Sequence, residues 1–190
     1  MNAISLLTQD HRNVEALFKR FEATDDPKEK RSITDKVIEQ LSVHAELEEQ
    51  FFYPAVMAKV DGSGKDDVLE GIEEHHLAKV ALWELERLPA TAPNFDAKFK
   101  VLSENILHHV EEEEADGGIF ADARKALKAN ELEELGDRMQ AARTTVPSRP
   151  HPLAPPTPPI NRLLGLPVAV LDRAVNTGKG LLRAVLPGAR

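Results

Sequence analysis

Two histidine–glutamate pairs, His44/Glu48 and His109/Glu113, each put a carboxylate one helical turn beyond a histidine on an otherwise apolar row. The first row runs Val37, Leu41, His44, Glu48, Phe51. The second runs Phe95, Phe99, Leu102, Ile106, His109, Glu113. Steps of three and four keep each row on a single helix face. A carboxylate on an inward face costs several kcal/mol unless it is paired, protonated or bound to a cation. The chain is therefore constrained to fold as helices that turn both rows toward a shared partner. Without a cation the two glutamates are expected to protonate in part, so the metal-free protein should gain stability as the pH falls toward about 5.

The other two long helical segments supply matching histidines. Ile4, Leu7, His11, Val14 and Phe18 form one row. The third segment allows two rows, Val68, Ile72, His75, Leu82, Leu85 or Leu69, Ile72, His76, Val80, Trp83. An internal duplication favours the first: His11 and His75 are 64 residues apart, His44 and His109 are 65 apart, Asp10-His11 matches Glu74-His75, and HxxxEE follows in both halves. The row from Phe95 through Ile106 likewise favours His109 with Glu113 over His108 with Glu112. The candidate ligands are thus His11, His44, Glu48, His75, His109 and Glu113. Nitrogen and oxygen donors of this kind suit iron, manganese or zinc, and two carboxylates able to bridge favour two metals. Glu49 and Glu114 read as neighbours behind the ligands or on the surface, His76 and His108 as flanking residues, His151 as a linker residue, and Trp83 as packing.

Turn signals separate the helices. Asp26 is expected to cap the second helix, with Pro27 in its first turn and Glu29 completing a capping box. Pro54 should kink that helix or mark its last turns. Gly62-Ser63-Gly64, Pro89 to Pro93 and Gly117-Gly118 end the following segments. A helical coda runs from Ile119 to about Arg143, with Asn130 and Glu133 as an internal capping box. The result is an all-α, antiparallel up-down four-helix bundle with a short helical coda and a C-terminal amphipathic tail. Seven of the 13 prolines fall in residues 147–159, which divides the chain into a bundle over 1–146, an extended proline-rich linker over 147–159 and a tail over 160–190.

Charge divides the chain at the same place. Residues 147–190 carry six Lys/Arg and one Asp, whereas the whole chain has a formal charge of −8. Such an acidic protein is a poor phosphate-backbone binder, so no nucleic-acid partner is expected. The tail presents an apolar face that includes Leu163, Leu164, Val170, Leu171, Val175, Leu181 and Leu182, and a basic face with Arg162, Arg173, Asn176, Lys179 and Arg183. That pattern suits docking on the acidic bundle, or peripheral contact with an anionic membrane or a partner groove. No stretch is long and apolar enough to span a bilayer, and the N-terminus has no secretory pattern, so a cytoplasmic protein is expected. There is no cysteine, which excludes thiolate metal sites.

The segments DHRNVEALF, SVHAELEEQFFYP, EEHHLAKVALWEL and ILHHVEEEE resemble the four helices of the hemerythrin-like, or HHE cation-binding, domain family. The resemblance implies a bundle around a carboxylate-bridged, non-haem pair of iron ions. His11, His44, Glu48, His75, His109 and Glu113 would be the ligands, with Glu48 and Glu113 bridging. It further implies a small ligand such as O2, nitric oxide or peroxide, with catalase-like turnover the first chemistry to expect and an iron or oxygen sensor the alternative. Lys79 stands where the oxygen carriers of the family place an extra histidine, and the fourth helix offers HxxxE where they use an aspartate five residues on. Reaction is therefore expected in preference to reversible oxygen carriage.

Overall fold

Helix α1 (Ala3–Glu22) starts where the Asn2 side chain accepts the Ser5 N–H at 2.8 Å, and ends with Lys19 and Arg20 in its last turn, where positive charge complements the helix dipole. The computed structural model describes residues 1–154, 156 and 168–177. Helix α2 (Pro27–Leu47) is capped by Asp26, whose carboxylate accepts the Lys28 N–H at 3.0 Å. The expected capping box does not close: Glu29 accepts the Thr24 hydroxyl instead, and Thr24 Oγ1 takes the Asp26 N–H.

Past Leu47 the helix widens into a π turn (Glu48–Phe52) before a last α-helical turn, α3 (Tyr53–Met57). Pro54 supplies no backbone N–H. The chain accommodates this by widening just before it, with the Tyr53 N–H reaching back five residues to the Glu48 carbonyl. Helices α4 (Ser63–Arg87) and α5 (Phe95–Glu114) complete the bundle. The coda is two helices, α6 (Ile119–Ala126) and α7 (Ala129–Ala142), and its cap lies earlier than expected: Glu131, not Glu133, accepts the backbone N–H of Lys128. Gly118 lets the α5–α6 turn close, because a Cβ there would sit 2.0 Å from the Glu112 carbonyl oxygen.

Helix α1 packs on α2 and α7, α4 on α5, and α2 on α4. Two apolar clusters result. One contains Val14, Phe18, Phe21, Leu41, Leu85, Phe99 and Ile106. The other contains Leu7, Leu47, Phe52, Val68, Ile72, Phe120 and Met139. Helices α1, α2 and α4 pass from one cluster to the other, with His11, His44 and His75 at or beside the crossing, while α5 contributes to the first cluster only and carries His109 near its C-terminal end. The centre is therefore a polar layer held between two greasy ones.

A further helix, α8, spans residues 168–177. Its polar edge faces the protein: buried Asp172 accepts the backbone N–H groups of Ser148 and Arg149 at 3.0 and 3.1 Å and contacts His151, while Arg173 donates to the carbonyls of Arg143 and Val146. Pro147, Ser148 and Pro150 are buried. Val170 and Leu171, placed on the apolar face of the tail, are 70% and 66% exposed. Backbone donors and carbonyls left by the chain after α7 attract Asp172 and Arg173, so hydrogen bonding sets the docked edge. Leu163, Leu164, Leu181, Leu182 and the basic residues Arg162, Lys179 and Arg183 lie outside the described residues. Among the described residues no helix is long and apolar enough to cross a membrane.

Candidate metal centre

The polar layer brings together all six residues singled out by periodicity. His11 comes from α1, His44 from α2, Glu48 from the π turn, His75 from α4, and His109 and Glu113 from α5. All lie between 0% and 4% exposed. Their donor atoms form two overlapping clusters, His11–His44–Glu48–Glu113 and Glu48–His75–His109. Glu48 belongs to both. Its Oε2 is 2.9 Å from His44 Nε2 and 3.3 Å from His75 Nε2. Glu113 Oε2 lies 3.4 Å from His11 Nε2 and 3.6 Å from His109 Nε2. Four imidazole nitrogens thus converge on two carboxylates.

Despite these short contacts, both Glu48 oxygens, Glu113 Oε2, His109 Nε2 and His44 Nδ1 are buried and make no well-aligned hydrogen bond. Orphaned buried acceptors of this kind are rare and costly. The donor set fits a cation, or two, coordinated by nitrogen and oxygen.

Each histidine also has its own carboxylate at Nδ1. Glu114 lies 2.7 Å from His11, Glu49 3.1 Å from His75, Glu74 2.6 Å from His109, and Asp10 3.6 Å from His44. At His11, His75 and His109 the carboxylate is within hydrogen-bond reach, so it holds the proton at Nδ1 and turns the Nε2 lone pair inward, the arrangement metal-binding histidines use. Asp10 stands only at ion-pair distance from His44, whose Nδ1 makes no hydrogen bond. The acids follow the duplication. The residue before the first histidine of each hairpin (Asp10, Glu74) serves the histidine of the next helix. The residue after each HxxxE (Glu49, Glu114) serves a histidine of the other hairpin. Asp10 and Glu74 had no role in the sequence reading, although the repeated acid–His pair was the signal for them.

Three of these acids have cationic partners of their own. Arg143 donates to Asp10 at 2.6 Å, Arg12 pairs with Glu114, and buried Lys79 donates to Glu49 at 2.7 and 2.8 Å and approaches Glu46 at 3.5 Å. Lys79 therefore acts behind His75. Among the described residues no lysine or arginine pairs with Glu74.

Tyr53, absent from the sequence expectations, donates its hydroxyl to Glu113 Oε1 at 2.9 Å. Burial and then the charges of Glu113 and Glu48 push its pKa well above the ordinary value, so it stays a donor. Gly71 makes room for it, because a Cβ on α4 would stand 2.9 Å from the Tyr53 hydroxyl. Phe120 stacks on His11 with ring centroids 5.6 Å apart. His76 and His108 are exposed, as their flanking positions implied. Trp83 is at the surface beneath the Arg87 guanidinium, 4.0 Å from the ring centroid, and does not pack inward.

Taken alone, the protein groups neutralise each other. Burial pulls the His44 imidazole down, but the Glu48 charge and the contacts with Asp10 and Glu48 push it up to about 10. Burial likewise opposes the charge on His75, and Glu48 and Glu49 push it up to about 9. Burial disfavours ionised Glu48, yet His44 and His75 hold it well below the usual carboxylate range. The expectation that Glu48 protonates is thereby overturned: the imidazoles take the protons.

Residues 2–116 match the hemerythrin HHE cation-binding domain, and the chain belongs to that family. It is 30% identical over 142 residues to the uncharacterised protein Rv2633c of Mycobacterium tuberculosis, covering 74% of this chain and 84% of that one. An uncharacterised hemerythrin-like protein of Schizosaccharomyces pombe is 26% identical over 165 residues, 87% of this chain and 80% of its own. A protein named DNA nickase from Nostoc sp. is 27% identical over 78% of this chain, which spans only 41% of the nickase. The crystal structure of an HHE cation-binding domain-containing protein, the Rv2633c homolog from Mycobacterium kansasii, superposes with a TM-score of 0.63 at 23% identity, over 75% of this chain and 85% of that one. The hemerythrin-like helical bundle expected from the sequence is the fold observed.

Proposed function

We propose that the centre holds two iron ions and acts on a ligand of two heavy atoms, O2, nitric oxide or peroxide, with catalase-like breakdown of peroxide as its reaction. His11, His44, His75 and His109 would hold the ions, with Glu48 and Glu113 bridging. The observation that carries the choice of ligand is a small chamber of about 20 Å³ over the histidines, walled by Val14, Phe18, Leu41, Leu82, Ile106 and Val110. That is somewhat more than one water needs, room for a ligand of about two heavy atoms. Iron bound here would supply electrons and an exchangeable position to whatever enters.

The chain's own residues select and orient. The apolar wall excludes bulk water and larger substrates. The carboxylates at Nδ1 of His11, His75 and His109 fix those imidazole rings, and the Tyr53 hydroxyl holds Glu113 Oε1 so that Oε2 points inward. Lys79 lines the chamber with its ammonium tied to Glu49, which supports reaction over carriage by keeping a lone-pair donor out of that position. The test is metal analysis of anaerobically purified protein with an ultraviolet–visible spectrum, followed by oxygen release from added peroxide. Two irons per chain and oxygen release are expected. A single stoichiometric zinc would remove the reading.

One set of contacts favours a sensor as the second reading. Asp10 stands at ion-pair distance from His44, Arg143 donates to Asp10, and the Arg143 carbonyl accepts from Arg173 of α8, so the charge beside His44 is linked to the tail. Two bound irons without peroxide turnover would support it.

A further inference from the structure

We propose that the α4–α5 face carries an outer divalent-cation site, Glu74–His108–Glu112, through which metal reaches the buried centre. The inference rests on reading that centre as a metal site. His108 and Glu112 form an HxxxE pair one residue out of phase with His109 and Glu113, so they stand on the outer side of the same helix. Their side chains approach to 3.3 Å. Glu74 completes the group across the helix interface, with all three donor atoms within 4.8 Å of one another. Half-exposed oxygen and imidazole donors in this number can hold a cation that keeps part of its water, a suitable state for a metal in transit.

The second observation is what lies beneath. A cleft of about 230 Å³ runs between α4, α5 and the α5–α6 turn. Asp67, Glu70, Glu74 and Glu112 line its walls, and His109 and Glu113 also line it. Those two residues are 4% and 2% exposed, and His109 Nε2 and Glu113 Oε2 have no hydrogen-bond partner. The cleft thus joins Glu74 and Glu112 of the outer group to two residues of the buried centre, with His108 beside it on the outer face of α5. Glu74 stands in both, since it holds His109 Nδ1 at 2.6 Å.

Charge sets this cleft apart from its neighbours. The cleft beside Glu49 includes Lys79, and the cleft beside Glu114 includes Arg12. Among the described residues, the lining of the Glu74 cleft contains no lysine or arginine. A funnel of one charge sign concentrates the opposite ion at its mouth, and here the ion drawn in is a divalent cation.

The experiment uses the full chain stripped of metal. Fe2+ is added without oxygen, and the rate at which it becomes resistant to a chelator is followed. The double variant His108→Ala/Glu112→Gln alters two exposed side chains and leaves the inner six intact. It is expected to load about tenfold more slowly and to reach the same final iron content and spectrum. Glu104→Gln, on an exposed stretch of α5 outside the cleft, removes the same charge and is expected to load at the unmodified rate. Equal rates for the double variant and the unmodified chain would overturn the proposal, as would equal slowing by Glu104→Gln. If the unmodified chain takes up no iron at all, the reading of the centre fails separately. The outer site is then decided by Mn2+ broadening of the His108 ring signals: broadening that Glu112→Gln relieves supports it, and no broadening overturns it.

Discussion

Glu48 and Glu113 occupy matching places in the two hairpins, yet their surroundings differ. Glu48 sits on a π turn, fully buried, with Lys79, Glu49 and Glu46 packed behind its neighbour His75. Glu113 sits on a regular α-helix, is held by a tyrosine from the other hairpin, and borders an acidic cleft. Duplication supplied the same donors twice, and the layers behind them made one half closed and the other half open. A π turn is a common local solution at functional sites. Here it lets Glu48 face the centre while Glu49 reaches His75 and Tyr53 reaches across to Glu113.

The comparison breaks most visibly by removing each carboxylate. Glu48 belongs to both donor clusters and Glu113 to only one. Both carboxylates would bridge, but Glu48→Ala is expected to lower metal content more than Glu113→Ala, because Glu48 alone falls within both donor clusters. Metal content per chain by mass spectrometry checks this, and equal losses would mean that the two bridging carboxylates contribute alike.

Most of this centre was legible in the sequence because burial and helical period speak through the same residues. His11, His44, His75 and His109 interrupt apolar rows, and Glu113 rather than Glu112 continues the row from Phe95. What stayed hidden depends on local backbone or on contacts between helices. Tyr53 lies five residues after Glu48, a spacing that points away from the centre on an α-helix and toward it only across a π turn. Asp10 and Glu74 look like ordinary surface acids until α2 and α5 bring His44 and His109 beside them. The tail was read by its apolar face, but Asp172 and Arg173 dock it through backbone groups after α7.

The next effect is on pH. In the metal-free protein His44 and His75 sit at about 10 and 9, against an ordinary value of 6.5. Raised values mean that folding takes up protons. The stabilisation is complete below about pH 6.5 and is lost as the pH rises through 9 to 10. Glu48, lowered when folded, contributes above its ordinary value of 4.5 and loses that contribution toward acid. Denaturant unfolding of the metal-free protein should therefore show stability falling by several kcal/mol between pH 6.5 and 10. The holoprotein, whose metals replace those protons, should show a flatter profile. Identical profiles would remove metal from these histidines.

Lys79→Met probes the closed half alone. It leaves Glu49 and Glu46 buried without their ammonium, and breaking a buried pair from one side costs about 3–5 kcal/mol. Adding Glu49→Gln removes one of the stranded charges and should return much of that stability. It also weakens the hold on His75 Nδ1, which lowers metal affinity by about 10–100-fold. A Lys79→Met protein as stable as the original would mean that this side is not closed by the ion pair.

The smallest predicted effect sits in the open half. Tyr53→Phe removes the donor to Glu113 Oε1 and leaves a buried carboxylate oxygen unpaired, at a cost of about 1.5–3 kcal/mol for a hydrogen bond to a charged group. Gly71→Ala attacks the same contact from α4, because its Cβ would stand 2.9 Å from the hydroxyl but 3.4 Å from the ring carbon that bears it. Phenylalanine lacks the clashing atom, so alanine at position 71 should cost less in a Tyr53→Phe background than in the original chain. The two substitutions are thus expected to be non-additive, with a coupling of about 0.5–3 kcal/mol in thermal or denaturant unfolding. Both should leave the Lys79 side unchanged: Lys79→Met should cost the same with or without them. Additive costs at 53 and 71 would mean that Gly71 is there for helix packing and that Tyr53 is not what holds Glu113 in place.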